Sequence, residues 1–461
     1  MIVNSAEFLW MFPLLFGLFL GLQVWRRRPP RSLNIFLLVA SYALFWYYNK
    51  GMTAVLAAVT LVTYLGALAT ERYGKRAIAP TVILLALLPL AAFKYWNFIK
   101  GNLDALFPTV HLPGLNWAIP LGISFFTLQA VGYYHDVACK KIRAERNILD
   151  YALFVSFFPQ IASGPISRAR DLLPQIKADR RFDPVQATQG LKWILWGAFL
   201  KMVVADNIGA VIAGPLAHSA SYAAWSVSLS VVLYSIHIYC DFAGYSFMAL
   251  GIGELLGFEL VNNFRRPYLA VSVTDFWHRW HISLSTWLKE HIYIPLGGSR
   301  CPKWRNYLNI LVTFLVSGLW HGASWTFIAW GGMHGAAQVA EKHLGLHKSA
   351  PSGWMRPVRV LLTFAVVTLA WVFFNSPTFA RACATIGHMF ASPGARTIDW
   401  FWPVVLAAAV IVSDIVTEFD VRSLRLVHHR YAAVRWTAYS VLTFCIMLFA
   451  VYGSKFIYSG F

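Results

Sequence analysis

Apolar runs of about twenty residues return along the whole chain, and short basic loops separate them. A run of that length as an α-helix spans the ~30 Å of a bilayer's hydrocarbon, and nothing but helices and closed barrels satisfies its backbone there. Charged residues make up 13% of the sequence, where a soluble domain carries about twice that share. The chain therefore reads as an all-α, polytopic transmembrane protein with roughly 10–12 membrane segments. It is expected to form one integral-membrane domain, 1–461, with a catalytic core at about 118–340.

The runs alternate in side. Ala6 to Trp25 has no basic residue ahead of it and Arg26, Arg27, Arg28 and Arg31 behind it, which is the wrong polarity for a cleaved signal peptide. It predicts an outside N-terminus. Leu33–Tyr48, Met52–Thr70 and Ala79–Phe98 then cross in turn, and Trp117–Tyr134 ends inside at Lys140, Lys141, Arg143 and Arg146. Tyr151–Ile166 has basic flanks on both sides and is broken by Pro159 and Gly164-Pro165, which predicts a re-entrant segment in a protein-lined setting. Leu191–Ala213 crosses outward with Lys192 and Lys201 placed to snorkel. An inward span lies within Trp225–Phe258, with His237, Asp241 and Glu254 inside the run. Tyr307–Val339 is too long for one span, is interrupted by glycines and is basic at both ends, so it predicts a bent or paired-helix insertion from the cytoplasmic side. Val358–Asn375, Trp400–Thr417 and Trp436–Tyr452 complete the crossings.

The net charge of +19 sits in these loops. Positive-inside placement accounts for it, and without a soluble domain it does not indicate nucleic-acid binding. The five cysteines are far apart and lack C-x-x-C spacing, so neither a disulfide framework nor a zinc site follows. Gly251-Ile252-Gly253-Glu254-Leu255-Leu256-Gly257 has the wrong spacing and no preceding strand for a dinucleotide fingerprint, and small residues at helix contacts explain it.

Two histidines stand out. His321 lies in Ser317-Gly318-Leu319-Trp320-His321-Gly322, within a run free of Asp, Glu, Lys and Arg, where an ionisable group is a functional-site hypothesis. A neutral imidazole there serves either as general base or as a hydrogen-bonded link between helices. Asp275 to His291, read as one amphipathic helix, places Trp277, Trp280, Leu284, Trp287 and Leu288 on one face, at the headgroup boundary. His281 borders that stripe, while His278, Arg279, Ser285 and Lys289 point largely away. His278 and His281 have the i, i+3 spacing of metal ligands, yet no third ligand lies at convincing spacing, so no metal is expected. Leu296-Gly297-Gly298-Ser299-Arg300, with Lys303 and Arg305, reads as a flexible basic loop able to receive a donor's phosphates, or as plain positive-inside charge. Asp241 pairs with a lysine or orients a histidine, and the residues alone leave both open.

Several blocks together resemble the membrane-bound O-acyltransferase family, and within it the bacterial alginate O-acetyltransferase branch. They are Pro120-Leu121-Gly122-Ile123-Ser124-Phe125-Phe126-Thr127-Leu128-Gln129, Phe158-Pro159-Gln160, Tyr239-Cys240-Asp241-Phe242-Ala243-Gly244-Tyr245-Ser246, Asn263-Phe264-Arg265-Arg266-Pro267-Tyr268, Trp280-His281-Ile282-Ser283-Leu284-Ser285 and Trp320-His321-Gly322. The resemblance implies a central funnel or tunnel, with His321 as catalytic histidine and His281 as its second polar residue. Trp320, Arg279, Ser285, Asp241, Arg300, Lys303 and Arg305 are the candidate donor- or substrate-binding residues. It also implies no bound cofactor, acetyl-CoA as acyl donor, a polysaccharide acceptor, an esterase-like periplasmic partner and a place in the bacterial inner membrane. The sequence departs from the pattern at His278, His237 and Phe247, where Arg, Gln and Asp are expected. A transporter or channel for the acyl group, or a scaffold for a polysaccharide synthase, are the rival readings. Broken helices and intramembrane polar residues suit a transporter too, although no inverted repeat is present.

Overall fold

The computed structural model describes residues 6–25, 30–109, 112–346, 353–421 and 426–453. These are helical, 77% by count, with no β-strand among them. Seven helical stretches among them are long and apolar enough to cross a membrane. The described residues divide into two compact units, one holding those up to 194 with 249–261, the other 195–248 with 262–453.

The first unit contains α1 (Ala6–Trp25), α2 (Pro30–Asn49), α3 (Thr53–Tyr73), α4 (Lys75–Leu90), α5 (Trp96–Leu106), α6 (Ile123–Ala138), α7 (Ile148–Ser156), α8 (Phe158–Ile161) and α9 (Ala169–Lys177). It also takes in the first part of α10 (Pro184–Ala198). Helix α6 begins six residues later than the expected Trp117 start, after the Pro120–Gly122 turn, and is buried almost all round. Gly122 has φ +81°, and a Cβ on it would lie 2.2 Å from the Ile161 carbonyl oxygen, so glycine alone fits this turn. Tyr151–Ile166 is broken as expected but at Phe157, two residues before Pro159, which sits in the first turn of α8; the chain leaves the helix again before Gly164-Pro165. Its backbone is served by side chains: Gln129 Nε2 donates to the Phe154 carbonyl, and the Phe158 amide donates to Ser41 Oγ at 3.1 Å. Tyr151 pairs with Thr63 at 2.7 Å, and Tyr134 with Thr70 at 2.9 Å. Where neighbouring surfaces are equally apolar, such polar bridges and close packing fix helix partners. Gly190 and Gly251 meet in this unit, each holding the place where the other's carbonyl approaches, which is the helix contact expected of the glycine cluster.

The second unit holds the end of α10, α11 (Asp206–Ala217) and most of α12 (Ala224–Leu255). It continues with α13 (Val273–Arg279), α14 (Ile282–Leu288), α15 (Lys303–His321), α16 (Trp325–His343), α17 (Met355–Asn375), α18 (Phe379–Phe390), α19 (Phe401–Glu418) and α20 (Ala432–Phe449). Between α10 and α11 the chain makes a wide π turn, Phe199–Ala205. That turn carries Lys201 inward. Lys201 is 1% exposed and does not snorkel; its Nζ bonds Asp206 at 2.7 Å and Asp241 at 2.6 Å. Burial of a cation is tolerated where anions and hydrogen bonds surround it, which is why this lysine stays inside. Asp241 thus pairs with a lysine.

Tyr307–Val339 forms a hairpin, α15 and α16 joined at Gly322–Ser324. A Cβ on Gly318 would stand 2.2 Å from the Phe327 carbonyl oxygen, and one on Gly331 would stand 2.2 Å from that of Phe314. The two backbones touch, and this contact sets the hairpin register.

Candidate functional site

Asp275–His291 is not the single interfacial helix that its periodicity suggests. It breaks at Trp280–His281, where His281 adopts φ 43° and ψ 53°. Asn263, fully buried, captures the freed backbone: the Ile282 amide donates to its carbonyl at 3.1 Å and the Ser283 amide to its Oδ1 at 3.0 Å. The Arg265 amide donates to the Arg279 carbonyl at 2.9 Å from the same side. A non-glycine residue in the left-handed region costs on the order of 1 kcal/mol, so surrounding bonds must hold it there. The break sends His278 to the surface and His281 to the interior, so the pair does not converge on a metal. It also turns Trp277, Trp280, Leu284 and Leu288 into core residues. They are not headgroup anchors.

His281 and His321 come together. His321 is the last residue of α15, and its ring centroid lies 6.4 Å from that of His281. His281 is 0% exposed and His321 1%. Their wall is aromatic. His321 meets Trp320 at 4.8 Å, Trp330 at 4.9 Å and Phe374 at 5.5 Å, and His281 meets Phe242 at 4.7 Å edge-on. Trp371 stacks on Trp330 at 5.5 Å. An imidazole placed so can receive a proton from a hydroxyl brought beside it.

A third buried histidine, His334, was not singled out from the sequence. Its Nδ1 accepts from Trp277 Nε1 at 3.2 Å, and its ring lies 5.0 Å from Trp330. It shares the run with His321, so its isolation among apolar residues was the available signal. Its hydrogen-bond partner is 57 residues away, which no spacing rule reveals. Glu341, on the same helix, accepts from the amides of Val273 and Thr274 and from Thr274 Oγ1, and so caps α13. Helix α16 thereby holds α13, whose far end leads into the His281 turn.

The remaining candidates are spread out. Trp320 lies at the histidine pair. Ser285 Oγ donates to the Trp280 carbonyl at 3.2 Å and supports the turn. Arg279 binds Asp275 at 2.9 Å and Glu418 at 3.2 Å. Burial works against its charge, but the two carboxylates outweigh that and hold its pKa above the ordinary value. Arg266 and Arg356 reach the same Glu418. Arg300 and Lys303 are exposed and Arg305 is half-buried. Lys303 and Arg305 are not in a loop but in the first turn of α15, and the Arg300 loop is tied to that helix by the Gly298 carbonyl, which accepts from Asn306 Nδ2 at 2.7 Å and Asn309 Nδ2 at 3.2 Å. His237, one of the departures from the expected pattern, bonds the Ala205 carbonyl through Nδ1 at 2.8 Å and fills the space left by Gly209.

A multi-helix membrane protein with two buried histidines side by side at a helix break and a helix end defines a class, and comparison with known proteins agrees. The sequence profile of the membrane-bound O-acyltransferase family matches residues 121–379. The probable alginate O-acetylase AlgI of Azotobacter vinelandii is 34% identical over 85% of this chain and 78% of its own length. The peptidoglycan O-acetyltransferase of Helicobacter pylori is 34% identical over 86% of this chain and 80% of its own. The teichoic acid D-alanyltransferase of Bacillus subtilis is 26% identical over 64% and 77%. The chain belongs to the membrane-bound O-acyltransferase family, and it is a multi-pass O-acyltransferase.

Proposed function

We propose that the protein transfers an acetyl group from cytoplasmic acetyl-CoA to a hydroxyl of an extracytoplasmic polysaccharide, at the bacterial inner membrane. The observation that carries this reading is the buried His281–His321 pair, 6.4 Å between ring centroids, inside an aromatic wall. His321 is the general base. It takes the proton as the acceptor oxygen bonds to the thioester carbon; the C–S bond then breaks, and the thiolate leaves with that proton as the free thiol. No net proton is consumed, so the site needs only to store one briefly. His281 orients or polarises the acceptor. The alginate O-acetylases and the peptidoglycan O-acetyltransferase among the relatives support acetyl and a glycan acceptor, and the D-alanyltransferases show that the acyl group varies within the similarity. Arg300, Lys303 and Arg305 offer charge to the donor's phosphates on the cytoplasmic side. A periplasmic esterase-like partner completes delivery to the polymer.

The test uses inverted inner-membrane vesicles given acetyl-CoA labelled in the acetyl group. Wild-type vesicles are expected to place the label in ester linkage on glycan, and His321→Ala vesicles with equal protein are expected to lose this by at least about 10²-fold. Release of unchanged labelled donor into the lumen would mean passage without chemistry and would end this reading.

A further inference from the structure

Beside His321 two buried hydrogen-bonding groups have no partner among the described residues: Ser317 Oγ and Trp330 Nε1. Both residues are fully buried. Ser317 stands four residues before His321, on the buried face of α15, so its side chain lies one turn from the imidazole, about 6 Å away by helix geometry. Trp330 meets the His321 ring edge-on at 4.9 Å and 85°. The hairpin register brings the two to one level, because a Cβ on Gly331 would lie 3.2 Å from the Gly318 amide nitrogen, and these glycines are the next residues along.

Ser317 has an obvious alternative that it does not take. A buried helical hydroxyl ordinarily donates to the carbonyl four residues back. Thr313 does so, to Asn309 at 2.6 Å, as do Ser230 and Thr286 at 2.8 and 2.6 Å. Other buried serines, Ser156, Ser226 and Ser246, also lack partners, but Ser317 is the one a single turn from His321 on its own helix. Buried polar groups left unpaired are scarce in native folds and call for an explanation. Two of them at one level, next to a base and on its α15 N-terminal side, are explained by a transient oxygen acceptor.

We infer that Ser317 Oγ–H and Trp330 Nε1–H donate to the carbonyl oxygen of the acyl donor and stabilise its charge in the tetrahedral intermediate. The inference rests on the thioester reading above. When the acceptor oxygen attacks, the C=O π electrons move onto that oxygen, where the two donors meet the charge. His321 holds the acceptor's proton meanwhile. The electrons then return, the C–S bond breaks, and the thiolate takes the proton. Preformed donors in a water-poor site act chiefly on the transition state, so they belong in kcat rather than KM. Entry of the donor from the cytoplasmic, α15 N-terminal side brings its carbonyl to their level before the acceptor meets His321.

The experiment compares wild type, Ser317→Ala, Ser317→Thr and Trp330→Phe in proteoliposomes. The acceptor is polysaccharide extracted from a strain lacking the gene, and a periplasmic extract of that strain supplies the delivering partner. Each protein is given acetyl-CoA and its dithioester analogue, in which sulfur replaces the carbonyl oxygen. Ser317→Ala and Trp330→Phe are each expected to lower kcat about 10²-fold with KM little changed. Ser317→Thr keeps the hydroxyl and is expected to restore most of it. The oxygen-over-sulfur rate ratio is expected to fall toward one in both damaged variants, since sulfur accepts hydrogen bonds poorly. A wild-type kcat, or a lower kcat with an unchanged ratio, overturns the inference, because a merely structural defect slows both substrates alike. Wild type that forms no ester from acetyl-CoA overturns the donor reading instead.

Discussion

Asn263 decides where His281 points. Its carbonyl and Oδ1 take the two amides that an unbroken helix would have bonded internally, and the chain turns the imidazole inward at that place. Replacing it with Asp keeps both acceptors, while Leu removes the side-chain acceptor that the buried Ser283 amide uses. That loss is worth about 1–3 kcal/mol. Asn263→Leu is therefore expected to lower both thermal stability and transfer rate, with Asn263→Asp retaining most of each. Equal damage from both, measured by detergent-solubilised melting and by ester formation, would show that the acceptor atom is not what matters. At this scale the sequence was uneven. The burial of His321 was legible because it sits in a long run without Asp, Glu, Lys or Arg, where an ionisable ring has few ordinary reasons to be. Asn263 and His334 were not, since their roles depend on partners about twenty and 57 residues away.

At the scale of elements, the hairpin α15–α16 presents His321, and its register depends on glycine. Gly331→Ala would drive a methyl to 2.2 Å from the Phe314 carbonyl oxygen, whereas the same change at Gly332 meets nothing closer than 3.7 Å. Overpacking of this kind typically costs about 1–3 kcal/mol. A melting temperature lowered by several degrees is expected for Gly331→Ala and little change for Gly332→Ala; equal melting of the two would contradict the backbone contact. The helix pair itself could be read from length and glycines. The break at His281 could not, because the tryptophan periodicity continues through it and the interruption comes from a distant side chain. Helix α18, amphipathic and capped by the Thr378 side chain, also escaped the sequence reading. At twelve residues it is too short for a crossing, so hydropathy over membrane-spanning lengths carries no signal for it.

For the whole molecule, two clusters of charge are satisfied within the protein. Lys201 is neutralised by two aspartates, and Glu418 gathers three arginines. The fold class and the broken Tyr151–Ile166 segment were legible because hydrocarbon forbids unsatisfied backbone, a rule that acts through local sequence. The position of Lys201 was misread for the opposite reason: near a helix start a lysine has a water-facing escape, and only the π turn and its two acidic partners show that it does not use it. The central claim is that this enzyme acetylates a surface glycan through His321. Its most direct measurement is the ester-linked acetyl content of extracted surface polysaccharide in wild type, in a deletion strain, and in that strain carrying His321→Ala at normal protein level. Loss in both mutant strains is the predicted result. Acetyl restored by His321→Ala, or retained in the deletion strain, would contradict it.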